Sequence, residues 1–481
     1  MNPTVTPAQA TRIIDRLIKQ LEENSSYIWL TDYNYKAHLT ALKNAIIQKG
    51  DNVEKALLAN KMERILAKIG DRHSFVTYTK INQIQHSLIR KRFPFYACMQ
   101  GGKMLALDVV PHPTANRFSL KFPATPFVKT INGQTVREFF NTYGYLHKKA
   151  PTTSFFQKSI FVTRRIGRSL YSNDEKNIDR LSIKLTNTTG TAELNREFIL
   201  NNSVRTYYSD VENIAINLKK QVVANPPNFN GLSRVLPNNI GYLLIPSMFN
   251  YGAVLGLEAH LKAQMNGPLF ATRALIIDLR YNTGGRRDII HTIAPYFVMG
   301  DVVVVNKAYL RKGRSSNGLH KKGLYQRNHA NFNANDRLAI DNFDAGFAAV
   351  RPVKDFTKFK DPFYMLLKSG PKTYPNHVYI LINEATFSAA SVFASVLKGF
   401  RNVTIVGVTS DGSSGNSQSK NLENSNIVAK VSTMVSYQKN GKTLDGNGTL
   451  PDVVKKANRI QILGISDTQL KHVTDDLIGP P

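Results

Sequence analysis

Apolar residues recur at helical spacing through the first seventy positions of the chain. Ile13, Ile14, Leu17, Ile18 and Leu21 form one stripe, and Leu57, Leu58, Met62, Ile65 and Leu66 form another. Residues 7 to 69 therefore read as helical, and Gly70 supplies the stop before Asp71-Arg72-His73-Ser74-Phe75 opens a loop or strand. From about 85 to 205 the pattern shortens to strands and turns. Phe127 to Ile131 runs into an Asn132-Gly133 turn, and Leu181 to Leu185 alternates before a Thr/Gly turn. Residues 224 to 238, rich in Pro, Asn and Gly, read as a linker. Beyond them fully apolar strands alternate with helices: Gly241–Ile245, Ala274–Leu279, Val302–Val305, Val378–Ile382 and Val403–Val408. Such runs predict an α/β core buried on both faces. The interval 307 to 345 is polar and turn-rich and reads as a long surface insertion, mobile or substrate-facing.

Length and charge refine this outline. A chain of 481 residues outgrows one hydrophobic core, so two or three domains are expected. The expected divisions are a helical region over 1–80, a β-rich module over 85–205 and a catalytic core over 235–460. No apolar run reaches bilayer-spanning length, and Met1 to Ala10 has no basic stretch leading into an apolar core, so no signal peptide is read there. The 63 Lys+Arg against 34 Asp+Glu give a formal charge of +29. These basic residues are scattered, without zinc-finger spacing, P-loop or RNA-binding aromatics, so no specific nucleic-acid site is expected. Contact with an anionic surface remains open. The lone Cys98 excludes an intrachain disulfide and a cysteine-built zinc site.

Two segments are placed to do chemistry. Ala274 to Gly285 (ALIIDLRYNTGG) is a buried strand running into paired glycines. Bare backbone at Gly284 and Gly285 suits close approach to a ligand, and the amides suit an oxyanion; a plain tight turn is the structural alternative. Val378 to Ser391 (VYILINEATFSAAS) is a second buried strand that turns through small residues into a helix. Ser388 at that helix start suits a nucleophile, with the Ala389 N–H as a further oxyanion donor. The same placement suits a helix cap.

Taken together these segments resemble the tail-specific (C-terminal processing) serine peptidase family, with its Asp-Leu-Arg-x-Asn-x-Gly-Gly and Asn-Glu-x-Thr-x-Ser-Ala stretches. Ile240 to Pro246, Val403 to Gly407 and Leu444 to Asp452 (LDGNGTLPD) are similar to three more family blocks, in the family's order over about 240 to 455. The resemblance implies a crotonase/ClpP-like β-β-α spiral core and a PDZ-like module around Ile131-Asn132-Gly133. It also implies protein or peptide substrates, no cofactor or metal, and a periplasmic or secreted station.

Family members of one branch use a serine and lysine pair, but the matched lysine position is Ser413, within Ser410 to Asn416. No lysine occurs between Arg401 and Gln418. The chain is more similar to the tricorn-like branch, which uses histidine. That resemblance makes Ser388 the nucleophile, His73 the general base and Asp445 the orienting carboxylate, with Gly284, Gly285 and Ala389 around the oxyanion. Arg72 stands where that branch has serine, leaving Asp71 as a substitute partner for His73. Ser391 is the reserve nucleophile. Ser395-Val-Leu-Lys398 fits Ser-x-x-Lys but lacks that pattern's companions and lies inside a helix. The alternative reading is a peptide- or lipid-binding protein that keeps the fold without turnover.

Overall fold

The computed structural model describes residues 3–143, 151, 160–201, 207–413 and 415–480. Parts of the expected 85–205 module (144–150, 152–159 and 202–205), Ser414 of the Ser410–Asn416 stretch, and Met1-Asn2 lie outside the described residues. The chain groups into two compact units. One comprises Met1–Asp210, Ser417–Ser432 and Asn458–Ser466; the other comprises Val211–Asn416, Thr433–Ala457 and Asp467–Pro481.

The first unit opens with helices Pro7–Asn24, Tyr35–Lys49 and Lys55–Leu66. Thr6 and Gln9 cap the first of these reciprocally, with Pro7 in its first turn, and Gly50 ends the second in a left-handed conformation. The apolar stripe turns inward as its spacing requires: Ile13, Ile14, Leu17, Leu21, Leu58, Met62 and Leu66 are buried. A seven-stranded antiparallel sheet follows, in the order Glu193–Ile199, Arg180–Thr186, Phe127–Ile131, Lys103–Val110, Tyr96–Gln100, with two short strands off this path. Asn132 and Gly133 both take positive φ (49° and 77°), which is what a two-residue hairpin turn between Ile131 and Gln134 demands. A three-stranded sheet pairs Phe75–Tyr78 with Ile427–Ser432 and, beyond it, Ser417–Leu422.

The second unit is built on a six-stranded sheet ordered Ser233–Leu236, Ile240–Leu244, Ala274–Asp278, His377–Ile382, Val403–Gly407, Val453–Val454. All its pairings are parallel except the first. Every residue of Ile240–Leu244 and of Ala274–Asp278 is buried, which accounts for their unbroken apolar runs. A four-stranded antiparallel sheet, Leu324–Gln326, Phe363–Lys368, Val302–Leu310, Met434–Gln438, completes the unit.

Three expectations are corrected. The 224–238 stretch is not all linker, because Ser233–Leu236 pairs as an edge strand with Ile240–Leu244. The strand expected to stop at Val305 continues to Leu310 through buried Asn306 and Lys307. Their polarity is satisfied internally: Asn306 donates to the Tyr437 carbonyl at 2.8 Å and Lys307 reaches Asp344 at 2.8 Å. The 307–345 interval is not a loose insertion either. It holds strand Leu324–Gln326 and helix Ala334–Gly346, whose Ile340 joins Phe332, Val304 and Tyr364 in a small core of its own. One buried face is enough to order such a segment, while its solvent face keeps the composition polar.

Candidate active site

The strand Ala274–Asp278 ends in a charge cluster that fixes everything after it. Arg280 is fully buried, and its guanidinium meets both carboxylate oxygens of Asp278 (2.6 to 3.1 Å) and Asp467 at 2.7 and 2.8 Å. The Tyr242 hydroxyl donates to the same Asp278 carboxylate at 2.9 Å. Burial alone pushes the Arg280 pKa down, but the two facing carboxylates more than reverse that and raise it, so the cation is locked in.

Beyond this anchor Asn282, also without exposure, ties three loops together. Its amide nitrogen donates to the Ile245 carbonyl at 2.8 Å, its side-chain oxygen accepts the Gly284 N–H at 2.9 Å, and its own carbonyl accepts the Phe387 N–H at 2.9 Å. Asn383 answers from the serine segment, accepting the Tyr281 N–H at 3.0 Å and the Ala385 N–H at 3.1 Å. Thr386 donates its hydroxyl to the Leu279 carbonyl at 3.0 Å. The asparagines and the threonine of the two sequence blocks are thus the bolts between two turns.

Those bolts bring Gly284 against Ser388. A Cβ added at Gly284 meets Ser388 Cβ at 2.5 Å and the Phe387 carbonyl at 2.7 Å, so glycine is required there on space as well as on its φ of +88°. Ser388 is half-buried and holds φ 56°, ψ −126°, a strained conformation for a residue with a side chain. Its side chain makes no capping bond to helix Ala389–Leu397, which sets aside the helix-cap role. Strain at a strand-to-helix turn is how such a fold pushes a serine out of the regular backbone.

The amides divide unevenly. Ala389 is the first residue of its helix, so its N–H has no acceptor within it. Gly285 lies opposite Met248, where the pairing bonds run from Met248 N–H to Gly284 O and from Arg286 N–H to Met248 O, leaving the Gly285 N–H outside the ladder. The Gly284 N–H, by contrast, is taken by Asn282. Gly284 is therefore corrected from amide donor to spacer: what it contributes is the missing side chain.

Asp445 is 4% exposed and sits in the loop whose Leu444 carbonyl lies 2.2 Å from where a Gly412 Cβ would stand. The Gly412 carbonyl in turn accepts the Ser388 N–H at 3.2 Å. Ser413, at the matched lysine position, is buried. Lys439, its pKa pushed down by burial to about 8, is a cation that sequence spacing did not flag. It packs over Phe400 at 4.7 Å, past the C-terminal end of helix Ala389–Leu397. Nine residues of helix span about 13 Å, which removes it from Ser388. Ser391 is committed elsewhere, its hydroxyl 2.6 Å from that of Ser410. Ser395 donates to Gln438 and Lys398 pairs with Asp452, so that motif has no chemistry to perform.

His73 belongs to the first unit, in the turn after Gly70. Asp71, fully buried, accepts the His73 backbone N–H at 2.9 Å, the Ser74 hydroxyl, and the Ser432 hydroxyl at 2.9 Å. Its carboxylate thus shapes the backbone that carries His73.

Residues 239–455 match the model of peptidase family S41. Among solved structures, mature CPAF is 15% identical, covers 98% of each chain and superposes with a TM-score of 0.61. A peptidase from Parabacteroides merdae, described as putative, is 13% identical over 99% of this chain and 98% of its own, at 0.50. These two share the fold. Residues 239–455 are thus a peptidase family S41 domain, and the chain that carries it is a serine-type peptidase acting on protein or peptide substrates. No helix among the described residues is long and apolar enough to cross a membrane.

Gly284→Ala should disable the site without unfolding the protein. The added methyl displaces the Ser388 turn, and a misplacement of about 1 Å near the chemistry costs on the order of 100-fold in rate. Peptide hydrolysis and circular dichroism of the same preparation check this; a variant retaining wild-type rate contradicts the packing described here.

Proposed function

We propose that Ser388 is the nucleophile, His73 its general base, Asp445 the orienting carboxylate, and the Gly285 and Ala389 N–H groups the oxyanion donors. The observation that carries this reading is the strained, uncapped Ser388 turn packed onto Gly284, beside two amides outside the regular ladders. In this scheme Ser388 Oγ attacks the scissile carbonyl while the imidazole takes its proton. The oxyanion is held by the two amides, and the same proton passes to the leaving amine; water then repeats the steps on the acyl-enzyme.

Histidine rather than lysine is supported by Ser413 at the matched position, by the location of Lys439, and by the effort spent on the His73 backbone through Asp71. The parallel sheet beside a second antiparallel one supports a crotonase-like spiral over 235–460. The antiparallel sheet of the first unit supports a PDZ-like module within 85–205, following the helical region 1–80, that takes an extended peptide by adding it to an edge. The reading also places the enzyme in the periplasm or outside the cell, as the resemblance implies; fractionation that recovers it with cytoplasmic markers refutes that station.

Ser388→Ala and His73→Ala should each lower kcat by at least about a thousandfold, and the double variant little further, because nucleophile and base act as one unit. Wild-type activity should climb through the range near neutrality in which imidazoles lose their proton. Labelling by a fluorophosphonate probe separates the peptidase from a carrier on the same fold. A His73→Ala enzyme with wild-type activity overturns the base assignment.

For the module, hydrogen exchange on the Ser388→Ala protein saturated with peptide should show new protection in Tyr96–Gln100 or Glu193–Ile199, the edge strands. Protection confined to the second unit contradicts strand addition.

A further inference from the structure

Arg287 follows Gly285 by two residues and is 3% exposed. Its Nη1 is enclosed and has no hydrogen-bond partner, and no carboxylate pairs with the guanidinium among the described residues. The residues outside the description contain no Asp or Glu that could supply one. Two other buried cations of this unit are matched by carboxylates: Arg280 by Asp278 and Asp467, Lys307 by Asp344. A guanidinium taken out of water without a counter-charge is costly, so an unmatched one calls for an explanation. Burial alone pulls its pKa down to about 10, so it remains a cation at physiological pH.

The backbone fixes where this cation begins. The Arg286 N–H is bonded to the Met248 carbonyl at 2.7 Å, and the helix Asp288–Ile293 that follows is anchored by buried Ile289, Ile290 and Ile293. Two trans peptide units place the Arg287 α-carbon at most about 7.6 Å from that of Gly285, and the preceding Gly284 is the residue packed against Ser388. His291, one turn further along, offers no compensation: burial, with the Arg287 charge adding to it, lowers its pKa, and its ring meets the Lys322 carbonyl at 3.3 Å.

We propose that Arg287 is a specificity-determining residue that receives a carboxylate of the substrate beside the scissile bond. The enzyme then selects chains carrying Asp, Glu or a free C-terminal carboxylate at that place. The inference rests on Ser388 being the reacting group. A planar guanidinium pairs with a carboxylate through two parallel N–H bonds, so the subsite discriminates against the uncharged amide of the same shape.

The test uses the full-length enzyme and quenched-fluorescent peptides that are amidated at the C-terminus, with Glu or Gln scanned through the positions flanking the cleaved bond. A second set ends close to that bond in a free acid or an amide. Wild-type enzyme should prefer the carboxylate over the amide by about 100-fold in kcat/KM at one position, since a site built to pair rejects the unpaired analogue. An internal Glu preference and a terminal-acid preference identify which source of carboxylate is used. Arg287→Gln should collapse that ratio toward one, and Arg287→Lys should restore part of it. Absence of any acid preference in the wild type overturns the proposal without reference to a variant, so a misfolded variant cannot rescue it. An Arg287→Gln enzyme that slows on all peptides while keeping the ratio also overturns it, because a merely structural role gives that pattern. Failure of fluorophosphonate to label Ser388 in the wild type defeats the nucleophile assignment instead, and is read separately.

Discussion

Two turns of the second unit meet at less than ordinary side-chain spacing, and the site is organised by that approach. Gly284 can lie on Ser388 only because it has no Cβ, and it stays there because Asn282 binds its N–H, the Ile245 carbonyl and the Phe387 N–H at once. Such close backbone contact is stable only if the polar groups on both turns are satisfied locally, and Asn383 and Thr386 complete that from the other side. The strain held at Ser388 is then over-determined by its neighbours and does not relax. Behind it, the Arg280 cluster joins the end of one strand to Asp467, far along the sequence, so the glycine loop starts from a fixed point.

Much of this was legible in the residues, and what was not has physical causes. Helical stripes such as Ile13–Leu21 and the unbroken strand Ala274–Asp278 read correctly because one rule, burial of a periodic face, decides them. Asn306 and Lys307 broke that rule, since a polar residue can lie inside a strand once Tyr437 and Asp344 satisfy it, and sequence does not display the partner. The helix Ala334–Gly346 went unread for the same reason. At the site, residue types did not reveal that the Gly284 N–H is taken while that of Gly285 lies outside the ladder, which depends on where the Asn282 side chain points. Asp71 was legible as a polar neighbour of His73 and illegible as a brace for its backbone, because the other half of the brace is Ser432.

The charge of the protein acts at two ranges that should be kept apart. A formal +29 spread over the surface draws acidic chains toward the molecule, but in physiological salt such a field decays over about 8 Å. It raises encounter rates and has no means of telling one peptide bond from the next. Arg287 is the opposite case: at 3% exposure its charge is screened little by salt, and only a group brought into contact can answer it. Selection between a glutamate and a glutamine at one position therefore belongs to Arg287 and should persist in salt, whereas the pull of the surface lysines fades. Salt separates the two contributions because one is made across water and the other in its absence.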